Sequence, residues 1–309
     1  MRTALHVLYL ILFCAATGQG LHFAKKGFSY RKMLSLNIDL PTLNLNEETK
    51  QILNQPFYYL GRGRQCFAFS SKDDKYVLKI PRTDIYRLPI WTQVLPVHSY
   101  RMRLKNEQQK RLKFLLKSLQ IACGELSKQT AVIAAHLGTT QSENEQITLI
   151  DALGCRHYLS LDKTTFVLQH KKPILMQAFS KALKTDKAKA KEILSAFLYN
   201  IQERAELGIL NKDSSFLRNY GYENGQAFQI DIGSFFKQNG KTPREVFEKS
   251  FIDSTDPIRE WLQENVPEML PYFIKKKTLI LRSHKNPSPT QLQSPNLLIP
   301  SQIRVDIPN

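Results

Sequence analysis

The sequence predicts an α+β protein: a strand-rich first half carrying one inserted helix, then a mainly helical second half. Three observations predict it. Short apolar runs bounded by Gly, Asp, Asn and Ser turns recur through the first half: YYL, CFAF, YVLKI, TAVIAAHLG, ITLIDALGCRHYLSL and TTFVLQH. Between the third and fourth of them, Arg101 to Leu126 sets Leu112, Leu115, Leu116, Leu119 and Ala122 at helical spacing. Past the KKP turn the helical period takes over, with Ile193, Leu194, Phe197, Leu198 and Ile201 on one stripe. A chain of 309 residues, 42% hydrophobic and 10% aromatic, suffices for one large domain or two lobes.

The first twenty residues, MRTALHVLYLILFCAATGQG, join a basic Arg2, an apolar run and small residues suited to signal cleavage. They predict a leader at 1–20 and a secreted or membrane-associated protein; an uncleaved interfacial anchor and a buried helix are the alternatives. Residues 21–55 form an extension in which Asn46, Glu47 and Glu48 start a short helix. Residues 56–170 are the strand-rich part, 171–282 the helical part, and the Ser-, Pro-, Asn- and Gln-rich stretch 283–309 a disordered tail.

Within the strand-rich part, GRGR joins the first two strands and SKDDK the next two. Gly61 and Gly63 allow a ligand close to the backbone, and Lys79 sits between residues that want burial, so it needs an anion. A hairpin turn and a snorkelling edge lysine explain the same residues equally well. The helix from Arg101 carries Arg101, Arg103, Lys105, Lys110, Arg111, Lys113 and Lys117 against two acids, Glu107 and Glu125. That face is a solvated helix surface or a contact for membrane or nucleic acid.

In the helical part, Lys181 to Leu207 is helical with a break near Thr185 and Gly208 as its C-cap. LGILNKDSSFLRNYGYENGQAFQIDIGSF then sets Asp213, Asn219 and Asp231 between short apolar runs, and AFQIDIG reads as a strand ending in an acid and a glycine. Carboxylate and amide oxygens hold Mg²⁺ against nucleotide phosphates, and a further carboxylate orients or deprotonates an attacking hydroxyl. TPREVFEKSF and DPIREWLQENVPEMLPYFIKKK read as two further helical segments. The net charge of +17 points to acidic partners: nucleotide, nucleic acid, an anionic membrane or an acidic protein. Four cysteines at irregular spacing give neither a CxxC pair nor a zinc pattern.

Taken in order, these parts resemble the protein kinase-like superfamily over about residues 56–280. GRGRQC matches its glycine loop, with Cys66 at the third glycine, and YVLK its lysine strand, placing Lys79. LGILNKD matches the catalytic loop, with Asn211 at the histidine and Asp213 at the aspartate; Asn219 matches the metal-binding asparagine and DIG the DFG motif. The resemblance implies a two-lobed fold, with a small antiparallel N-lobe sheet holding one helix and a reduced, mainly helical C-lobe. It implies ATP and Mg²⁺: Gly61, Gly63 and Lys79 on the phosphates, Glu107 (or Glu125) pairing the lysine, Asn219 and Asp231 on metal, and Asp213 with Lys79 in catalysis. The acceptor, protein or small molecule, is left open, and nucleic acid is the weaker partner. The sequence departs from the family at Cys66, in a loop one residue longer from Asp213 to Asn219, and in lacking an APE motif. Those departures imply the alternative of an inactive pseudokinase that binds an acidic partner or membrane through its basic surface.

Overall fold

A computed structural model describes residues 25–33, 45–88, 92, 98–140, 145–213, 215–238 and 240–285. The leader and the tail beyond 285 lie outside the described residues. Among the described residues no helix is long and apolar enough to cross a membrane. The chain divides into two compact units, one holding the residues up to Gln109 with Ala134–Lys171, the other Lys110–Ile133 with the residues from Lys172 onward.

In the first unit, Asn46 caps helix α1 (Glu47–Leu53), its side chain accepting the Thr49 amide at 2.9 Å. Strands β1 (Phe57–Arg62), β2 (Cys66–Ser71) and β3 (Tyr76–Pro81) follow, and helix α2 (His98–Cys123) starts in this unit and ends in the other. After a single turn, α3 (Ser127–Thr130), come β4 (Val132–His136), β5 (Gln146–Ile150), β6 (Arg156–Ser160) and β7 (Phe166–His170). The seven strands make one sheet in the order β4-β7-β3-β2-β1-β5-β6. β2 with β1 and with β3, β3 with β7, and β5 with β6 are antiparallel, whereas β1 and β5 are parallel. The long connection through α2 supplies the crossover that a parallel pair requires.

Alternation sorts the central strands into two faces. Phe67, Phe69, Leu78 and Ile80 are wholly buried on one, where Phe28 sets its ring edge-on to Phe67 and Phe69 at 5.4 and 5.7 Å. The run ITLIDALGCRHYLSL is a hairpin and not one strand. Asp151 turns the chain, its Oδ1 accepting the amides of Leu153 and Cys155 at 2.9 Å, and Gly154 takes φ +82°.

In the second unit, helices α4 (Leu175–Thr185) and α5 (Lys187–Glu206) break where the sequence predicts, with Asp186 capping α5 through the amides of Ala188 and Lys189. Gly208, at φ +69°, ends α5. Then come β8 (Ile209–Asn211), the hairpin β9 (Tyr220–Glu223) with β10 (Gln226–Gln229), and β11 (Phe235–Lys237), which pairs with β8. Helix α6 (Pro243–Asn265) opens on a Thr242–Glu245 capping box. It joins TPREVFEKSF to the start of DPIREW, which the sequence reading kept apart. Phe247, Phe251, Ser254, Ile258 and Leu262 keep one buried stripe through Pro257. Burying each large apolar side chain is worth about 1.5–3 kcal/mol, so the stripe together outweighs the roughly 3 kcal/mol that an interior proline costs. The helix stops instead at Val266, before Pro267, and α7 (Leu270–Lys285) runs past Ser283, the residue at which composition placed the tail.

Candidate functional site

The residues singled out from the sequence fall into two local arrangements, one in each unit. In the first unit, Gly61 on β1 stands opposite Ala68 on β2, and Ala68 opposite Lys79 on β3. Directly paired residues share a sheet face, so these three form one row on the face turned away from Phe67 and Phe69. Two of the three have little or no side chain, so the row stays low beside Lys79, and Val167 on β7 continues it. A Cβ added at Gly61 meets nothing within 4 Å. The strand register shifts between Tyr59 and Gly61, a bulge of the kind that re-aims a strand beside a site.

The glycine turn is held by a residue that the sequence reading passed over. Gly63 donates its amide to the Cys66 carbonyl at 2.8 Å, and buried Arg82 donates from Nη1 to the Gly63 carbonyl at 3.2 Å. Asp84 fixes the guanidinium through Nε at 2.9 Å and Nη2 at 2.5 Å, and Lys32 reaches the same carboxylate at 3.3 Å. Burial pushes the Asp84 carboxyl up, but Arg82 and Lys32 outweigh it and hold the group below the usual carboxylate range. Glu107, on the part of α2 in this unit, pairs with Arg103 one turn earlier at 3.3 Å.

In the second unit Asn211 and Asn219 both bond to Asp213. The side chain of Asn211 accepts the Asp213 amide at 3.0 Å and the Ser234 hydroxyl at 2.6 Å through Oδ1, and donates to the Asp213 carbonyl at 2.9 Å. Asn219 donates from Nδ2 to Asp213 Oδ1 at 2.9 Å and to its carbonyl at 3.1 Å. Asp213 is thereby fixed in backbone and side chain while remaining exposed. The longer loop does not separate it from Asn219.

Asp231 reaches this cluster through its backbone. The strand expected to carry it ends at Gln229, because the amides of Ile230 and Asp231 turn to the Asn219 carbonyl, at 2.8 and 3.4 Å, instead of the ladder. Ser118, on the core face of α2, donates to the Ile232 carbonyl at 2.6 Å and accepts the Phe235 amide at 2.7 Å, closing the turn after Asp231. Glu125 pairs with Lys237 at 2.6 Å. Beneath the loop, Arg204 is 1% exposed and bonds to Gln229 and Ser254 at 2.5 Å and to Tyr220 at 3.4 Å. Burial pushes the Tyr220 phenol up, opposed by the Arg204 guanidinium.

Two of the residues carry oxygens of the kind a hard cation takes: the Asp231 carboxylate and, with Nδ2 committed to Asp213, the amide of Asn219. Among the described residues no group of three or more His, Cys, Asp or Glu forms a ready metal cage.

No family model and no curated protein matches the chain. Among solved structures, one of WbdD aligns at 17% identity and TM-score 0.36, covering 75% of this chain and 46% of that one. A second, titled as the bifunctional kinase-methyltransferase WbdD, gives 17% and 0.33 over 75% and 45%. The Legionella pneumophila LegK7 effector kinase gives 12% and 0.28 over 77% and 39%. The chain spans less than half the length of each of these three structures. The fold is read from its elements: glycine turn, lysine strand, inserted helix, the Asn211–Asn219 loop, the β9–β10 hairpin and the Asp231 loop, in that chain order. Among the described residues the architecture is α+β, a seven-stranded mixed sheet followed by a mainly helical unit.

Proposed function

We propose that this protein binds ATP with Mg²⁺ and transfers the γ-phosphoryl group to an acceptor hydroxyl. The observation that carries the reading is the fixing of an exposed carboxylate, Asp213, by Asn211 and Asn219 within the loop cluster that Asp231 joins. Asp213 receives the acceptor's proton as the acceptor oxygen bonds to phosphorus, and the bond from phosphorus to the ADP oxygen breaks. Lys79 and the backbone at Gly61 and Gly63 hold phosphate oxygens; Asn219 and Asp231 hold the metal. Mg²⁺ supplies neutralisation of the phosphate charge.

Thermal shift with Mg-ATP and measurement of ATP turnover test this together. Wild type should be stabilised and turn ATP over. Asp231→Ala should lose both, and Asp213→Asn should keep the shift but lose turnover by about a hundredfold or more. A wild-type protein with neither shift nor turnover ends the proposal. Cys66 at the third glycine position favours a second reading, a nucleotide-binding module without turnover. A wild-type shift that Asp231→Ala removes, with no turnover under any acceptor, selects that reading.

A further inference from the structure

The second half of α2 presents Lys110, Arg111, Phe114 and Lys117 at helical neighbour spacing, and its three cations are exposed. Lys212, the residue before Asp213, is exposed as well, and its ammonium lies 4.2 Å from the centre of the Phe114 ring and 5.3 Å from that of Phe236. Phe114 and Phe236 are tilted against each other at 6.3 Å, so the two rings form a floor that holds the Lys212 charge in place. Among the described residues no carboxylate pairs with Lys110, Arg111, Lys117 or Lys212; the neighbouring acid Glu125 is taken by Lys237. Four cations thus surround one aromatic floor, and one of them adjoins the carboxylate read above as the proton acceptor.

We propose that this patch docks the acceptor, and that the acceptor is an acidic peptide segment whose hydroxyl-bearing residue reaches Asp213. The inference rests on the phosphoryl-transfer reading. Lys110 to Lys117 spans about 10 Å at ~1.5 Å per residue, the length of roughly three residues of extended chain. Three of the four cations are lysines, point charges that suit successive carboxylates better than the bidentate grip of one phosphate. Lys212 covers the two rings, so they offer no face for stacking a nucleic-acid base. The patch lacks the exposed aliphatic side chains by which a helix enters a bilayer. In the transfer, the peptide's hydroxyl oxygen bonds to the γ-phosphorus, its proton passes to Asp213 and ADP leaves.

The full chain is titrated by fluorescence anisotropy at low salt against a labelled Glu-rich peptide with one central Ser. A Lys-rich peptide of equal length, a single-stranded RNA and phosphatidylserine vesicles are the comparison ligands, and phosphoryl transfer from ATP to the Ser is followed in parallel. The Glu-rich peptide should bind best. Lys110→Glu/Lys117→Glu should weaken it about tenfold or more, with an unchanged circular dichroism spectrum. Lys184→Glu/Lys187→Glu, the same charge change on exposed lysines elsewhere, should leave binding within about twofold. Equal losses in both double variants, or tighter binding to RNA or vesicles, overturn the docking surface. Binding as expected with no transfer in wild type overturns the phosphoryl-transfer reading and leaves the surface standing. Transfer to a neutral peptide as readily as to the acidic one does the reverse.

Discussion

The glycine turn with Lys79 and the loop from Asn211 to Asp231 are built by different means. Gly61, Ala68 and Lys79 are aligned by strand register, in which backbone bonds repeat along the ladder and the alternating pattern sets the face. Asp213, Asn219 and Asp231 have no such ladder; single side-chain amides and hydroxyls from Asn211, Asn219, Ser234 and Ser118 hold them. The first arrangement spreads its support over many bonds. The second concentrates it in a few, and those made by Ser118 and Ser234 are buried, so that removing either hydroxyl leaves a buried polar group unpaired.

The hardest break should come where backbone meets backbone in the loop unit. A Cβ on Gly221 would lie 2.5 Å from Lys172 Cβ and 3.3 Å from the Pro173 carbonyl, on the segment whose Pro173 carbonyl accepts the Tyr222 amide. Gly221→Ala should cost roughly 1–3 kcal/mol or more, read as a lowered urea midpoint. Asn211→Ala removes three bonds of the clamp. It should destabilise by about 1–3 kcal/mol and cut ATP turnover at least tenfold at saturating nucleotide, since Asp213 then loses its anchor.

In the strand unit the matching cut is milder. Arg82→Ala frees the Gly63 carbonyl but leaves the ladder, so nucleotide KM should rise several-fold while kcat changes less. The Asp84 carboxyl bound to Arg82 has its folded-state pKa lowered. Its stabilisation is therefore complete above the ordinary carboxylate value of about 4 and is lost as pH falls through the lowered one. Acid unfolding of wild type should show that slope and Asp84→Asn a shallower one. Least disruptive should be Gly61→Ala. With nothing within 4 Å of the new methyl, the unfolding free energy from urea titration should stay within about 0.5 kcal/mol of wild type, while on the phosphoryl-transfer reading the Mg-ATP thermal shift shrinks.

The strand side was the more legible in sequence for the same reason that it is the more robust. Alternation in CFAF and YVLKI places Lys79 opposite Leu78 and Ile80 without knowledge of any partner. The cap at Asn46, the helix break near Thr185 and the stop at Gly208 were equally local. The hairpin inside ITLIDALGCRHYLSL carried its signal in Asp151 and Gly154, but the surrounding apolar residues masked it. Ser118 left a faint trace, a hydroxyl on an otherwise apolar helix face; its partners lie 114 and 117 residues away, and no local pattern names them. Arg82 and Arg204 looked like two more cations in a chain with 44 lysines and arginines.

By itself the sequence determined the order of a strand-rich first half with one inserted helix and a mainly helical second half, the face on which Lys79 lies, and which polar residues crowd the loop after α5. Those properties follow from side-chain period and capping, which act within a few residues. Only the tertiary structure decided that Asn211 and Asn219 fix Asp213, that Ser118 closes the turn after Asp231, and that Lys212 rests on Phe114 and Phe236. A hydrogen bond or a cation over a ring forms only when two groups come within a few ångströms, and packing of the whole unit sets that distance.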